Sequence, residues 1–310
     1  MKRILAMLAG LAAIIVFAAA ANASQDSTIP FEMTATGHLV VDVTLNGEME
    51  SRAIVDTGAT FALIDHRTAA SIGAVPDELA PTIDIIGLGT VGTFPVIEVG
   101  SITFGDVSMS DMTAAYNSQY PLPGARNVIP ASGIPHRTLD FDFKNSRLRA
   151  YDRRPIRLHN STTSRLPVQW IATLPFIELT VNGRKGLALI DTGSSVSYIN
   201  SAFAENAAKS PEDFRTLELV GATGNVIPLR VLRSRRFELG DFRIRRLDVI
   251  VSDPEFLSYY GLEGQPVMVL GLDILKQFRL QLDRETSELR ISRPGLSRRN
   301  SAGFSMWARQ

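Results

Sequence analysis

The chain has 310 residues, 45% of them hydrophobic and 21% charged, with 32 basic residues against 32 acidic ones and no cysteine. That apolar content suffices for two cores in a folded protein of two ordinary domains, and the even charge leaves no case for nucleic-acid binding. The missing cysteines exclude disulfides, thiol nucleophiles and cysteine-ligated metal sites.

In chain order, Lys2 and Arg3 precede an apolar stretch from Ile4 to Ala20, and Ala21-Asn22-Ala23 offers small residues for signal peptidase before Ser24. Residues 1–23 are therefore expected to be a signal peptide that sends the protein to the periplasm or out of the cell. The alternative is an uncleaved leader that anchors it in the inner membrane, facing the periplasm; membrane contact is expected only in that case.

Next comes a strand pattern, Val41-Asp42-Val43-Thr44-Leu45, ending in Asn46-Gly47, and it returns as Ile177-Glu178-Leu179-Thr180-Val181 ending in Asn182-Gly183. Period-two alternation marks a half-buried strand, and Asn-Gly is a strong hairpin signal because both residues tolerate positive φ. A second apolar run then delivers Asp56-Thr57-Gly58 in the first copy and Asp191-Thr192-Gly193 in the second. Asp65 and Asn200 stand where each would cap a short helix, Gly105-Asp106 matches Gly240-Asp241, and Asp142 answers Asp283. The repeat is thus about half the mature chain, duplicated. We expect a first lobe at 24–152, a polar linker at 153–165, a second lobe at 166–292 and a basic tail at 293–310. Runs such as Ile83 to Ile86, Val96 to Val99 and Leu247 to Val251 are short and β-branched, so the chain reads as all-β with brief helices.

Gly87-Leu88-Gly89-Thr90-Val91-Gly92 matches the dinucleotide fingerprint. That fingerprint needs a helix to open at the glycines, so that its amides meet the pyrophosphate, whereas Thr93-Phe94-Pro95-Val96-Ile97 is strand-like. The other copy has Gly221-Ala222-Thr223-Gly224 before Val226-Ile227-Pro228, so both glycine runs read as hairpin tips. His38, His66, His136 and His159 are scattered without metal-ligand spacing, and no G-x-S-x-G elbow is present. The arginines from Arg230 to Arg246 read as a solvated strand face.

Two apolar-Asp-Thr-Gly segments, each followed by a glycine hairpin, with Val269-Leu270-Gly271 before a short helix in the second half, resemble the pepsin and retropepsin family of aspartic proteases. The resemblance runs from about Phe31 to about Ser292. It implies a bilobal acid-protease fold, two homologous barrel-like lobes with the active site between them in one monomeric chain. It further implies an aspartic endopeptidase that hydrolyses an extended peptide or protein substrate with no cofactor but water. Asp56 and Asp191 would be the catalytic pair, because two carboxylates held about 3 Å apart share one proton and serve as acid and base. Thr57 and Thr192 would bond across the lobes, Gly58 and Gly193 would let backbone approach the carboxylates, and the Ser194 hydroxyl would donate to Asp191, leaving more of the charge there. Gly87, Leu88, Gly89 and Gly221, Ala222, Thr223 would form two flaps over the substrate. The first half departs from the pattern at Ala131-Ser132-Gly133-Ile134-Pro135, where Pro135 argues against a helix. The alternative function is a catalytically silent periplasmic peptide-binding module of the same fold.

Overall fold

The computed structural model describes residues 26–86, 91–122, 124–220 and 226–294. Residues 1–23, expected to be a signal peptide, and the tail beyond residue 294 lie outside the described residues.

The chain folds almost wholly into strands, and the internal repeat becomes two eight-stranded sheets of the same topology. In the first, the neighbours run Glu32–Met33, Leu39–Leu45, Met49–Asp56, Asn127–Pro130, Ala62–Asp65, Val107–Asn117, Val91–Phe104 and Thr82–Ile86. In the second they run Gln169–Ile171, Leu174–Val181, Arg184–Ile190, Val267–Leu270, Tyr198–Ile199, Phe242–Val251, Val226–Leu239 and Phe214–Val220. Each sheet curls back on itself through one extra pairing, Thr44 opposite Thr103 and Thr180 opposite Glu238.

Local chemistry accounts for the turns. Asn46 and Gly47 have φ of 50° and 75°, and Asn182 and Gly183 have 51° and 86°, the left-handed pair that closes a tight hairpin with the right twist. The helix His66–Ser71 starts at Asp65, whose side chain accepts from the amides of Arg67 and Thr68. Its counterpart Ser201–Ala207 starts at Asn200, which accepts from the amide of Phe203.

The two halves meet in a six-stranded sheet, ordered Ser27–Pro30, Arg147–Tyr151, Thr138–Asp142, Arg279–Asp283, Glu288–Pro294 and Ser161–Pro167. At its centre the two halves pair directly, with Asp140 opposite Gln281. Asp140 is fully buried there and would be costly uncompensated. It accepts from Arg279 Nε and Nη2, both at 2.7 Å, from Gln281 Nε2 at 3.1 Å and from the Tyr151 hydroxyl at 3.3 Å. This sheet corrects the expected linker: its last five residues, 161–165, belong to a seven-residue edge strand paired from Ser161 opposite Pro294 to Pro167 opposite Glu288. Its polar surface disguised a period-two pattern in which Ser164 and Leu166 point inward. The second half likewise extends past its expected end, since Arg293 and Pro294 complete the last strand.

The arginines between Arg230 and Arg246 lie on exposed strand positions. Arg230 pairs with Glu205, Arg233 with Asp248, Arg235 with Asp213, and Arg236 and Arg243 with Glu238.

Candidate active site

Asp56 ends the strand Met49–Asp56 and lies in register with Pro130 of the parallel strand Asn127–Pro130. Asp191 follows the strand Arg184–Ile190, and its amide donates to Leu270 O at 3.1 Å. Both aspartates therefore emerge at the end of an interior strand, held there by the backbone of its parallel neighbour. The two emergence points face each other, the carboxylate of each aspartate lying against the glycine of the other loop.

The adjoining threonines lock this arrangement. Thr57 N donates to Thr192 Oγ1 and Thr192 N donates to Thr57 Oγ1, both at 3.0 Å, while Thr57 Oγ1 donates to Ile190 O at 2.6 Å and Thr192 Oγ1 to Val55 O at 2.7 Å. Both threonines are buried, so the four bonds are exchanged in a site that offers their groups little water. The glycines explain themselves by space rather than by φ. A Cβ on Gly193 would stand 2.1 Å from Asp56 Oδ2, and one on Gly58 would stand 2.7 Å from Asp191 Cγ.

Backbone amides supply the polar floor. Gly58 N donates to Asp56 Oδ1 at 2.6 Å, Gly193 N to Asp191 Oδ1 at 2.8 Å and Ser194 N to the same oxygen at 3.0 Å. Burial, then the negative charge of Asp191, hold the Asp56 carboxyl well above the usual carboxylate range. Burial also raises Asp191, but the bond from Asp56 and the amides of Gly193 and Ser194 oppose it. Asp56 is thus the more strongly raised of the two. The titration is a property of the pair.

This asymmetry has a different origin from the one expected. The Ser194 hydroxyl donates to Val196 O at 2.8 Å, and it is the Ser194 amide that reaches Asp191. Because the side chain turns back on its own loop, the Ser194 hydroxyl is not what distinguishes the two carboxylates.

Of the expected site residues, Asp56, Thr57, Gly58, Asp191, Thr192, Gly193 and Ser194 are gathered here. Gly87, Leu88, Gly89, Gly221, Ala222 and Thr223 lie outside the described residues; their hairpin stems are in place, with Ile86 opposite Val91 and Val220 opposite Val226. The glycine run that matched a dinucleotide fingerprint leads into the strand Val91–Phe104, not a helix.

Other residues of the site escaped sequence reasoning. The buried Tyr198 has its phenol pushed far up by burial and by the charges of Asp191 and Asp56. Ser197 Oγ donates to Asp273 Oδ1 at 2.6 Å and accepts from Gly271 N at 2.9 Å, tying the loop after Asp191 to the helix Leu272–Leu275. Tyr260, just past the helix Phe256–Tyr259, has its phenol pushed up, chiefly by burial, while Thr60 of the opposite lobe acts against that shift. Of these only Ser197 and Tyr198 carried a signal, their place six and seven residues beyond Asp191 in the Asp-Thr-Gly loop. Among the described residues no group of three or more His, Cys, Asp or Glu is arranged to hold a metal ion.

A family model described as aspartyl protease matches the chain at residues 41–129 and 177–274, once for each half. No curated protein matches. Among solved structures, the aspartic proteinase from Irpex lacteus is similar in fold, with 13% sequence identity and a TM-score of 0.56 over 89% of this chain and 100% of that one.

Proposed function

The chain belongs to the aspartyl protease family, and on that premise we propose that it is an endopeptidase in which a water held between Asp56 and Asp191 hydrolyses peptide bonds. The observation that carries this reading is the juxtaposition of the two carboxylates, each packed so closely against the other loop that a Cβ on Gly193 would stand 2.1 Å from Asp56 Oδ2 and one on Gly58 2.7 Å from Asp191 Cγ; carboxylates so placed would share one proton.

In the first step ionised Asp191 takes a proton from the water as the water oxygen bonds to the carbonyl carbon, and Asp56 gives its proton to the carbonyl oxygen. The product is a neutral gem-diol, with Asp191 now protonated and Asp56 ionised. In the second step Asp191 passes its proton to the amide nitrogen, Asp56 takes one from a diol hydroxyl, and the carbon–nitrogen bond breaks. Acid and amine leave, and the pair returns to its starting protonation. Only the singly protonated pair works, so the rate follows a bell between the two titrations of the dyad.

An extended chain fits this reading: a hairpin stem rises from each lobe, with Ile86 opposite Val91 and Val220 opposite Val226, and strand-like backbone bonds to such hairpins would hold a substrate in register. The stem of the first hairpin also touches the second lobe, where Ile86 packs against a buried cluster containing Phe176, Tyr198 and Phe256. With residues 1–23 read as a signal peptide, the proposal places this activity in the periplasm or outside the cell. Both aspartates come from one chain, so a monomer completes the site.

The test is cleavage of an unfolded protein mixture by the chain from Ser24 onward, across about pH 3 to 8 so as to bracket the shared-proton range, with products read by mass spectrometry. Asp56→Asn and Asp191→Asn should each abolish every wild-type product. Cleavage that survives in either variant would rule out the dyad, and an inactive wild-type chain would favour a peptide-binding module.

A further inference from the structure

The two lobes differ in what holds the chain behind each aspartate. In the second lobe Gly271 opens the helix Leu272–Leu275, and that stretch satisfies itself: the amide of Leu275 donates to Gly271 O at 2.9 Å, Lys276 to Leu272 O at 3.2 Å and Phe278 to Leu275 O at 3.0 Å. The Ser197–Asp273 bond pins it to the Asp191 loop. In the first lobe the strand register puts Ala62 and Ser132 at the corresponding positions, and neither a hydroxyl at Ala62 nor a carboxylate at the exposed Ser132 is there to make that bond. Pro135 also forbids the helix, and the chain makes only the single tight turn Ala131–Gly133.

One guanidinium stands in for what is missing. Arg284, from the second half, donates through Nη1 to Ile134 O at 2.5 Å and to His136 O at 3.2 Å, and through Nη2 to Ala131 O. Its own amide donates to Arg137 O at 3.0 Å, so both its backbone and its side chain are tied to this segment. Ala131 directly follows Pro130, the register partner of Asp56. Among the described residues no carboxylate pairs with Arg284. Its rigid fork, which presents several donors at once, is spent on carbonyls that a helix would otherwise organise. The equivalent position in the first half is Phe143, an aromatic ring stacked on Phe141, so the arginine is present only where the helix is lost.

We propose that Arg284 is a positioning residue for the reaction above: by clamping Ala131, Ile134 and His136 from the opposite half, it fixes the floor on which Asp56 stands. The inference rests on the reading of Asp56 and Asp191 as the acid–base pair. Burial pulls the guanidinium down to about 10, still far above the acid range, so the clamp stays charged wherever the dyad works.

The test compares Arg284→Met with wild type and with Arg290→Met, a control in the same sheet whose guanidinium serves Glu288 and Pro155 O. The first readout is the titration of the two carboxyls by carbon-13 NMR, which needs no turnover. The second is kcat and KM on a peptide that wild type cleaves. The expected result is a displaced dyad titration with kcat down by about tenfold to a hundredfold and KM little changed, as a displacement of up to about 1 Å at a reacting group produces. Arg290→Met should do neither at the same folded fraction. Should Arg284→Met fail to fold, Arg284→Lys, which keeps the charge but loses the fork, is expected to displace the titration in the same direction. A folded Arg284 variant whose dyad titrates as in wild type would overturn the proposal whatever its activity. A displaced titration in a chain with no wild-type cleavage would uphold the clamp and sink the protease reading alone.

Discussion

Adding one methyl group at Gly193 or Gly58 probes the dyad from its two sides, and the two additions should not be equal. At Gly193 the new Cβ would lie 2.1 Å from Asp56 Oδ2, whereas ordinary contact begins near 3.4 Å, so the carboxylate has to give way by about 1.3 Å. At Gly58 the nearest atom is Asp191 Cγ at 2.7 Å, and the required movement is about 0.7 Å. The backbone cannot yield instead, because Thr57 and Thr192, one residue before each glycine, are held by the four buried bonds between the lobes. A misplacement of about 1 Å at a reacting group costs about a hundredfold in rate. Gly193→Ala should therefore lower kcat/KM by a hundredfold or more, and Gly58→Ala by about tenfold. The assay is steady-state cleavage of a fluorogenic peptide, with thermal unfolding run alongside to show that both variants are folded. Wild-type kcat/KM in Gly193→Ala, or a larger loss in Gly58→Ala than in Gly193→Ala, would refute the geometry.

Thr57→Val keeps the shape but removes the donor to Ile190 O and the acceptor for Thr192 N; with two buried groups left unpaired, urea unfolding should show a loss of about 2–5 kcal/mol. Asp56→Asn tests the titration through stability. The folded Asp56 carboxyl sits above its unfolded value, so its contribution is fully present below the unfolded pKa of about 3.9 and is lost as pH rises through the folded pKa. The amide carries no charge, so the variant should melt above wild type near pH 7 and together with it near pH 3, and a wild type that is the more stable at neutral pH would contradict the raised carboxyl. Ser194→Ala should leave the pH dependence of kcat unchanged, because the amide and not the hydroxyl meets Asp191; a displaced acid limb would show that the hydroxyl turns inward during the reaction.

Much of this was legible because it depended on short-range rules repeated twice. Asp-Thr-Gly after an apolar strand, Asn-Gly at each hairpin, and Asp65 and Asn200 before their helices all act within a few residues, and the second copy separated pattern from accident. Gly105 and Gly240 match to the degree, each with φ of 56° in the turn between two long strands. The rest depended on direction and distance. The sequence shows a serine after Asp-Thr-Gly but not that its hydroxyl folds back onto Val196 O. The strand Ser161–Pro167 is polar along its exposed edge and finds its partner more than a hundred residues later. Arg284 reaches carbonyls that no side-chain pattern announces. The helix Phe256–Tyr259 is four residues long and has no counterpart among the described residues of the first half from which to infer it.

The proposed mechanism turns on one proton held between Asp56 and Asp191, and neutron diffraction from deuterated crystals grown in the range of peak activity would locate it. The prediction is a single deuteron between the carboxylates, bonded to Asp56 and donated to Asp191. Deuterons on both carboxylates, or none on either, would contradict the shared proton, and a single deuteron bonded to Asp191 would contradict the placement of the charge.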